Sequence, residues 1–309
     1  MTDRYLAPLP LGGDDGQPWS KGLMARALAA TGLSPTRAYE LARRADADLA
    51  ERRAERLDLD RLGELAVGVL GERDAARTMR RLRRLQTLQQ LDQPIVLLVG
   101  GATGTGKSTI ATEAAHRLGI TRVTSTDFIR ETMRAFFSRA FMPTVHYSSF
   151  EAGLALTKAE EEETGDPRLL GFLDQTRNVL VGIEAAIERA LKEGRSLVLE
   201  GVHLVPGMLT AERENALVTH CVIAIPDEAV HRSHFWVRDT ATDGLRPLEK
   251  YLDGLPEIRL IQEALLERAN RFDVPVIENT SVDEAVGAVL DLVLSGAERL
   301  VGRGSGLLA

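Results

Sequence analysis

The chain has 309 residues, 44% hydrophobic and 27% charged, with a formal net charge of −7. That length supports a sizeable core and more than one domain, and the charge gives no global attraction to nucleic acid or to an anionic membrane. A single cysteine, Cys221, excludes an intrachain disulfide, and no apolar stretch reaches the length of a membrane helix, so a cytoplasmic protein with no membrane partner is expected.

The first segment, "MTDRYLAPLPLGGDDGQPW", is rich in proline and glycine and reads as an irregular arm, not as a signal peptide. From Ser20 to about Gln90 the pattern is helical. "SKGLMARALAATG" places Leu23, Met24, Ala27 and Leu28 on one face, and Ser34 with Pro35 opens a second helix as cap and first residue. The run "RTMRRLRRL", from Arg77 to Leu85, is the one cluster suggestive of nucleic acid. Met79, Leu82 and Leu85 punctuate it at helical spacing and no aromatic residues interleave, so a solvated helix face is expected instead.

The texture changes at Pro94. "PIVLLVGG" is a continuous apolar run ending in glycines, as a buried parallel strand requires. Further strands are predicted at 122–126, 196–200, 219–225 and 275–278. Helices are predicted at about 106–118, 127–138, 175–193, 228–240, 257–271 and 282–295. Alternation of this kind predicts an α/β fold with a parallel sheet flanked by helices, preceded by a smaller all-helical domain. The expected boundaries are 1–92 for the helical domain, 93–300 for the α/β domain and 301–309 for a flexible tail.

"GATGTGKS" matches the phosphate-binding P-loop pattern in full, between a predicted strand and a predicted helix. Gly101, Ala102, Thr103, Gly104, Thr105 and Gly106 would wrap their backbone amides around phosphate oxygens. Lys107 would reach the β- and γ-phosphates, the Ser108 hydroxyl would ligate Mg²⁺, and Thr109 continues the motif into the helix. No guanine-reading signal follows the Cys221 strand. "PVIENTS" precedes the last helix instead, a placement suited to an adenine-facing loop with Thr280, so ATP is the expected nucleotide. Glu200, where "SLVLE" stops, is the candidate second metal-side carboxylate. His203 beside it either meets an anionic substrate or is a packed histidine bonded to backbone.

"VTSTDFIRETMR" supplies the acceptor side. Its strand should end at the sheet edge that carries the P-loop, where ligands bind in parallel α/β folds. Asp127 would then open a helix facing the γ-phosphate and accept the proton of an acceptor hydroxyl. Arg130 and Arg134, at i, i+4 spacing, would share one face and capture a phosphate or carboxylate. The same residues also describe a capping aspartate with salt-bridged arginines, and their position at the P-loop edge favours the functional reading. "PDEAVHRSHFWVRD" places His231, Arg232, His234 and Arg238 on a helix. Arg232 and Arg238 are expected to act from it as a lid over the transferring phosphoryl group.

Three stretches carry a resemblance: "VGGATGTGKSTIATEAAHRLGITRVTSTDFIRETMRAF", "MPTVHYSSFEA" and "LEGVHLVPG" resemble the 2-phosphoglycerate kinase family over roughly 94–280. The stretch "PWSKGLMARALAATGLSPTRAYELA" is similar to the ATP-cone-type module at the front of that family. The resemblance implies a P-loop kinase that transfers a phosphoryl group from ATP to 2-phosphoglycerate, giving 2,3-bisphosphoglycerate and ADP with Mg²⁺. It implies that Arg130 and Arg134, with His146 or His203, hold the acceptor's anionic groups, and that Asp127 handles its 3-hydroxyl. Two alternatives stay open: a P-loop kinase for another small metabolite, sugar or nucleic-acid 5′-hydroxyl, and a non-catalytic nucleotide sensor.

Overall fold

A computed structural model of the protein describes residues 9–11, 18–89, 91–156, 165–209, 213, 215–242 and 248–306; at 89, 237–242 and 303–306 it describes the backbone alone. In chain order the helices are α1 Lys21–Ala30, α2 Pro35–Arg52, α3 Leu59–Leu70, α4 Glu72–Gln89, α5 Lys107–Leu118, α6 Thr126–Phe136, α7 Pro167–Lys192, α8 Glu228–Thr242, α9 Leu248–Asp253, α10 Leu255–Arg271 and α11 Val282–Gly306. The strands are β1 Ile95–Gly100, β2 Val123–Ser125, β3 Leu197–Gly201, β4 Leu217–Ala224 and β5 Val276–Glu278, and short 3-10 turns span Thr144–His146 and Ser149–Ala155. Internal contacts divide the chain into two compact units: Met1–Pro94 with Glu113–Thr121 and Val286–Ala309, and Ile95–Thr112 with Arg122–Ala285.

The first unit is helical. Ser20, Ser34 and Asp58 cap α1, α2 and α3, each side chain accepting from a backbone amide of the first turn. Met24, Leu28, Leu41, Leu62, Leu82 and Leu85 are fully buried. The "RTMRRLRRL" run lies on α4, and its residues part by face. Arg77 pairs with Asp74 on the surface, whereas Arg81 is buried. Arg81 Nε donates to Asp291 Oδ1 at 2.6 Å, and its Nη1 and Nη2 donate to the carbonyls of Thr31 and Gly287. Asp291 and Gly287 belong to α11. From Val286 on, the last helix therefore groups by contact with the N-terminal helices, where the sequence-based expectation put the whole of it in the α/β domain. It is also helical through Gly306, where a flexible tail from 301 is predicted.

The second unit is α/β. Its five strands form one parallel sheet in the order β2-β3-β1-β4-β5. Val96, Leu98, Leu197 and Leu199 pack with Val179, Ile183 and Ile187 of α7. A second cluster joins Phe172, Val202, Val205 and Val222 to Phe235 of α8 and to Ile258, Ile261 and Leu265 of α10. Helix α7 starts eight residues ahead of its predicted start, because Asp166 caps it and Pro167 takes its first position. In register, Val99 of β1 stands opposite Glu200 of β3, and Glu200 stands opposite Ser125 of β2. Parallel pairing in that register brings the P-loop, Glu200 and the start of α6 to one edge of the sheet.

Candidate active site

The P-loop leaves β1 at Gly100 and runs into α5 at Lys107. Gly106 sits at φ +83, where an L side chain is strained, and a Cβ there would come within 2.5 Å of Asn279 Nδ2. Asn279 uses that amide to donate to the Thr105 carbonyl at 2.9 Å, while its backbone N–H donates to the Ala224 carbonyl. Asn279, just past β5, thus pins the P-loop through a loop carbonyl. Sequence reasoning named Thr280 in this loop as adenine-facing and did not single out Asn279. Thr280 is exposed, and its hydroxyl donates to Glu284 at 3.0 Å. The signal for Asn279 was present in "ENTS", but an asparagine in a loop is commonplace until its partner is known.

Lys107 Nζ donates to the Ala102 carbonyl at 3.3 Å, and among the described residues it pairs with no carboxylate. Its charge is uncommitted, as a phosphate-following lysine needs. Ser108 Oγ donates to Glu200 Oε2 at 2.9 Å, and Glu200 is buried. A hydroxyl and a carboxylate in contact at the phosphate end form the hard-oxygen donor set that suits Mg²⁺. The residues therefore fit the metal that a P-loop implies.

Helix α8 leans on the far side of the P-loop. His231 Nε2 donates to the Thr103 carbonyl at 2.8 Å, and His234 Nδ1 donates to that of Gly104 at 3.1 Å. His231 is fully buried and stacks on Phe235, which stacks on Tyr251. Burial lowers the pKa of His231, with nearby Arg259, His234 and Lys107 acting in the same direction against its bond to Thr103. The two histidines thus fasten the helix to the loop. Arg232 faces solvent in a 3.1 Å pair with Glu228. The side chain of Arg238 lies outside the described residues.

At the start of α6, the Ser125 hydroxyl accepts from the Asp127 amide at 3.2 Å and caps the helix. Asp127 Oδ1 lies 3.6 Å from Arg130 Nε, and the Asp127 side chain is 58% exposed. Partial desolvation pushes the Asp127 pKa up, but the charges of protonated His203, Lys107 and Arg130 outweigh it and hold the carboxyl below its usual range. His203 is itself held down to about 4 by complete burial, so near neutrality Lys107 and Arg130 carry the effect.

The arginines do not share one use. Arg130 is buried, with Nη1 donating to the carbonyls of Val145 (2.9 Å) and Tyr147 (3.0 Å) and Nη2 to Glu131 at 2.6 Å. Arg134, half-exposed, pairs with Glu131 at 3.2 Å. The i, i+4 spacing gives their angular relation; it does not say that the Thr144–Tyr147 segment covers the first turn alone. His146 is half-buried and donates from Nε2 to the Phe137 carbonyl at 3.0 Å. His203 offers no free nitrogen: Nδ1 contacts Thr126 Oγ1 and Nε2 contacts Gln175 Oε1, each at 2.9 Å. Of the two readings of His203, this geometry is that of the packed histidine, with side chains as its partners where backbone was expected. Gln175, also fully buried, is absent from the sequence-based candidates because nothing in a lone glutamine of a helix marks it.

No protein-family model matches the chain. Among curated proteins, the 2-phosphoglycerate kinase of Methanopyrus kandleri is 38% identical over 279 residues, 90% of this chain and 84% of that protein. That of Methanothermobacter thermautotrophicus is 36% identical over 290 residues, covering 92% and 94%, and that of Pyrococcus horikoshii is 35% identical over 292 residues, covering 94% and 95%. A solved gluconokinase from Sinorhizobium meliloti aligns over 69% of this chain and 97% of its own at 16% identity, with a TM-score of 0.34 that carries no argument. Identity of this order over nine-tenths of the chain places the protein: it belongs to the 2-phosphoglycerate kinase family.

Proposed function

We propose that the protein transfers the γ-phosphoryl group of ATP to the 3-hydroxyl of 2-phosphoglycerate, giving 2,3-bisphosphoglycerate and ADP. The observation that carries this reading is the meeting of the P-loop, the Ser108–Glu200 pair and Asp127 at one sheet edge, in a chain at 34–38% identity to curated 2-phosphoglycerate kinases. The backbone amides from Gly101 to Gly106, with Ala102, Thr103 and Thr105 between the glycines, cradle the nucleotide's phosphates, and Thr109 follows them into α5. Lys107 moves from the Ala102 carbonyl to the phosphoryl oxygens. Ser108 and Glu200 would hold Mg²⁺, which when bound would supply positive charge to offset that of the phosphates. The acceptor oxygen bonds to the γ-phosphorus as the bond to the β,γ-bridging oxygen breaks, and the hydroxyl proton passes to Asp127. A carboxylate with a depressed pKa is a weak base, and a loose phosphoryl-transfer transition state asks little of it beyond orientation.

Arg134 and His146, reachable from solvent, meet the acceptor's phosphate and carboxylate, while Arg130 holds the Thr144–Tyr147 segment and adds its charge beside Asp127. Arg232 is free to leave Glu228 for the moving phosphoryl group. The test is incubation with ATP, Mg²⁺ and a panel of phosphorylated three-carbon acids, with products read by ³¹P NMR. 2-Phosphoglycerate should be converted to 2,3-bisphosphoglycerate, and Asp127→Asn should lower kcat by about a hundredfold or more while ATP affinity holds. Turnover of another acceptor in place of 2-phosphoglycerate, or near-normal kcat in Asp127→Asn, overturns the corresponding part of the reading.

A further inference from the structure

Three side chains beneath the acceptor side are 0% exposed: Thr126 at the start of α6, His203 just past β3, and Gln175 in α7. Their hydrogen-bond directions can be deduced. Gln175 Nε2 donates to the carbonyls of Thr144 (2.6 Å) and Tyr147 (3.0 Å), which uses both amide hydrogens. Gln175 Oε1 can only accept, so His203 Nε2 carries a proton and donates to it across 2.9 Å. A ring this deeply buried stays neutral, so Nδ1 is bare and accepts from the Thr126 hydroxyl at 2.9 Å. Thr126 has little room to choose another rotamer. Gly201 presses against it at φ +153, and a Cβ on Gly201 would overlap Thr126 Oγ1.

The line closes on itself. The Tyr147 carbonyl that accepts from Gln175 also accepts from Arg130 Nη1, and Arg130 Nε faces Asp127, the neighbour of Thr126 in sequence. The path runs from Thr126 through His203, Gln175, Tyr147 and Arg130 to Asp127. Each joint after Thr126 is a hydrogen bond with one allowed direction, until the last, which is an ion pair.

We propose that Gln175 and His203 are positioning residues for phosphoryl transfer. They touch no substrate; they lock the first turn of α6 to the Thr144–Tyr147 segment and so fix the Asp127 carboxylate relative to the acceptor. This rests on the reading that Asp127 faces the acceptor. A misplacement of about 1 Å at a reacting group can cost about a hundredfold in rate, so such a lock should act on kcat.

The test uses the full chain with ATP and 2-phosphoglycerate. Gln175→Met keeps the volume of the side chain and removes both donors and the acceptor. It should lower kcat about tenfold or more, with ATP affinity within about twofold of wild type. A parallel fall in kcat, ATP affinity and thermal midpoint, or an unchanged kcat, overturns the proposal. Asp127→Asn, assayed beside it, separates the two ideas. If that variant is inactive while Gln175→Met is normal, positioning alone fails. If Asp127→Asn transfers normally, the acceptor-side reading fails and positioning with it. Should Gln175→Met not fold, long-range ¹H–¹⁵N correlation spectra of the wild-type protein at neutral pH still decide. A neutral His203 ring protonated at Nε2 supports the lock, and one protonated at Nδ1 or at both nitrogens overturns it.

Discussion

At the scale of single residues, several groups behave differently from their sequence signature because burial changes what they can do. Asp127, partly desolvated, is nonetheless held below its usual carboxylate range by the charges around it. His203 does not act as a free cation, since burial holds its pKa at about 4 against an ordinary value of 6.5. The consequence for stability has a definite sign. Between those two values the unfolded chain binds a proton that the folded chain refuses, so stability is full above about pH 6.5 and falls as pH drops toward 4. The contribution at risk is on the order of 3 kcal/mol. Urea midpoints at pH 7 and pH 5 should show this fall in the wild-type protein and a smaller one in His203→Gln. Equal falls would show that His203 is not the group responsible.

At the scale of elements, the strands follow the predicted positions closely, because a continuous apolar run between glycines has few other ways to be buried. Helix ends are less legible: α7 begins at Pro167 through its Asp166 cap, and α11 runs to Gly306. What the element pattern hides is how one element holds another. The β5 end acts on the P-loop through Asn279, whose amide satisfies the Thr105 carbonyl. Asn279→Ala leaves that buried carbonyl unpaired, at a cost of about 1 to 3 kcal/mol. ATP KM should rise several-fold while the KM of the acceptor stays near wild type, measured by steady-state kinetics. A rise confined to the acceptor would show that the clamp serves the other side of the site. Similarly, α8 reads as one cationic lid in sequence, yet His231 and His234 face the P-loop and Arg232 faces solvent. A helix's charge count does not reveal which face is packed.

At the scale of the whole molecule, sequence order and spatial grouping part company in the helical unit. Val289, Leu290, Val293 and Leu294 of α11 are fully buried, and Arg81 of α4 reaches Asp291 and the Gly287 carbonyl. Asp291→Asn removes the carboxylate but not the buried guanidinium. The cost should be about 2 to 3 kcal/mol, below that of a fully buried pair because Asp291 is 40% exposed. Chemical denaturation should show the loss in the transition that reports the N-terminal helices. A loss confined to the α/β unit would instead tie α11 to that unit.

The sequence by itself determined the α/β class, the strand–loop–helix that carries Lys107 and Ser108, and the place of Asp127 just past the end of β2. Each is a local pattern: a motif in its strand–helix context, or a strand end at a known edge of a parallel sheet. Tertiary structure alone decided that Arg130 is turned inward to hold the Thr144–Tyr147 segment, that His203 is a bonded core group, and that Gln175 and Asn279 bond to distant backbone carbonyls. Those roles depend on partners between 15 and 174 positions away in the chain, and a residue's own type and spacing carry no record of a partner at that distance.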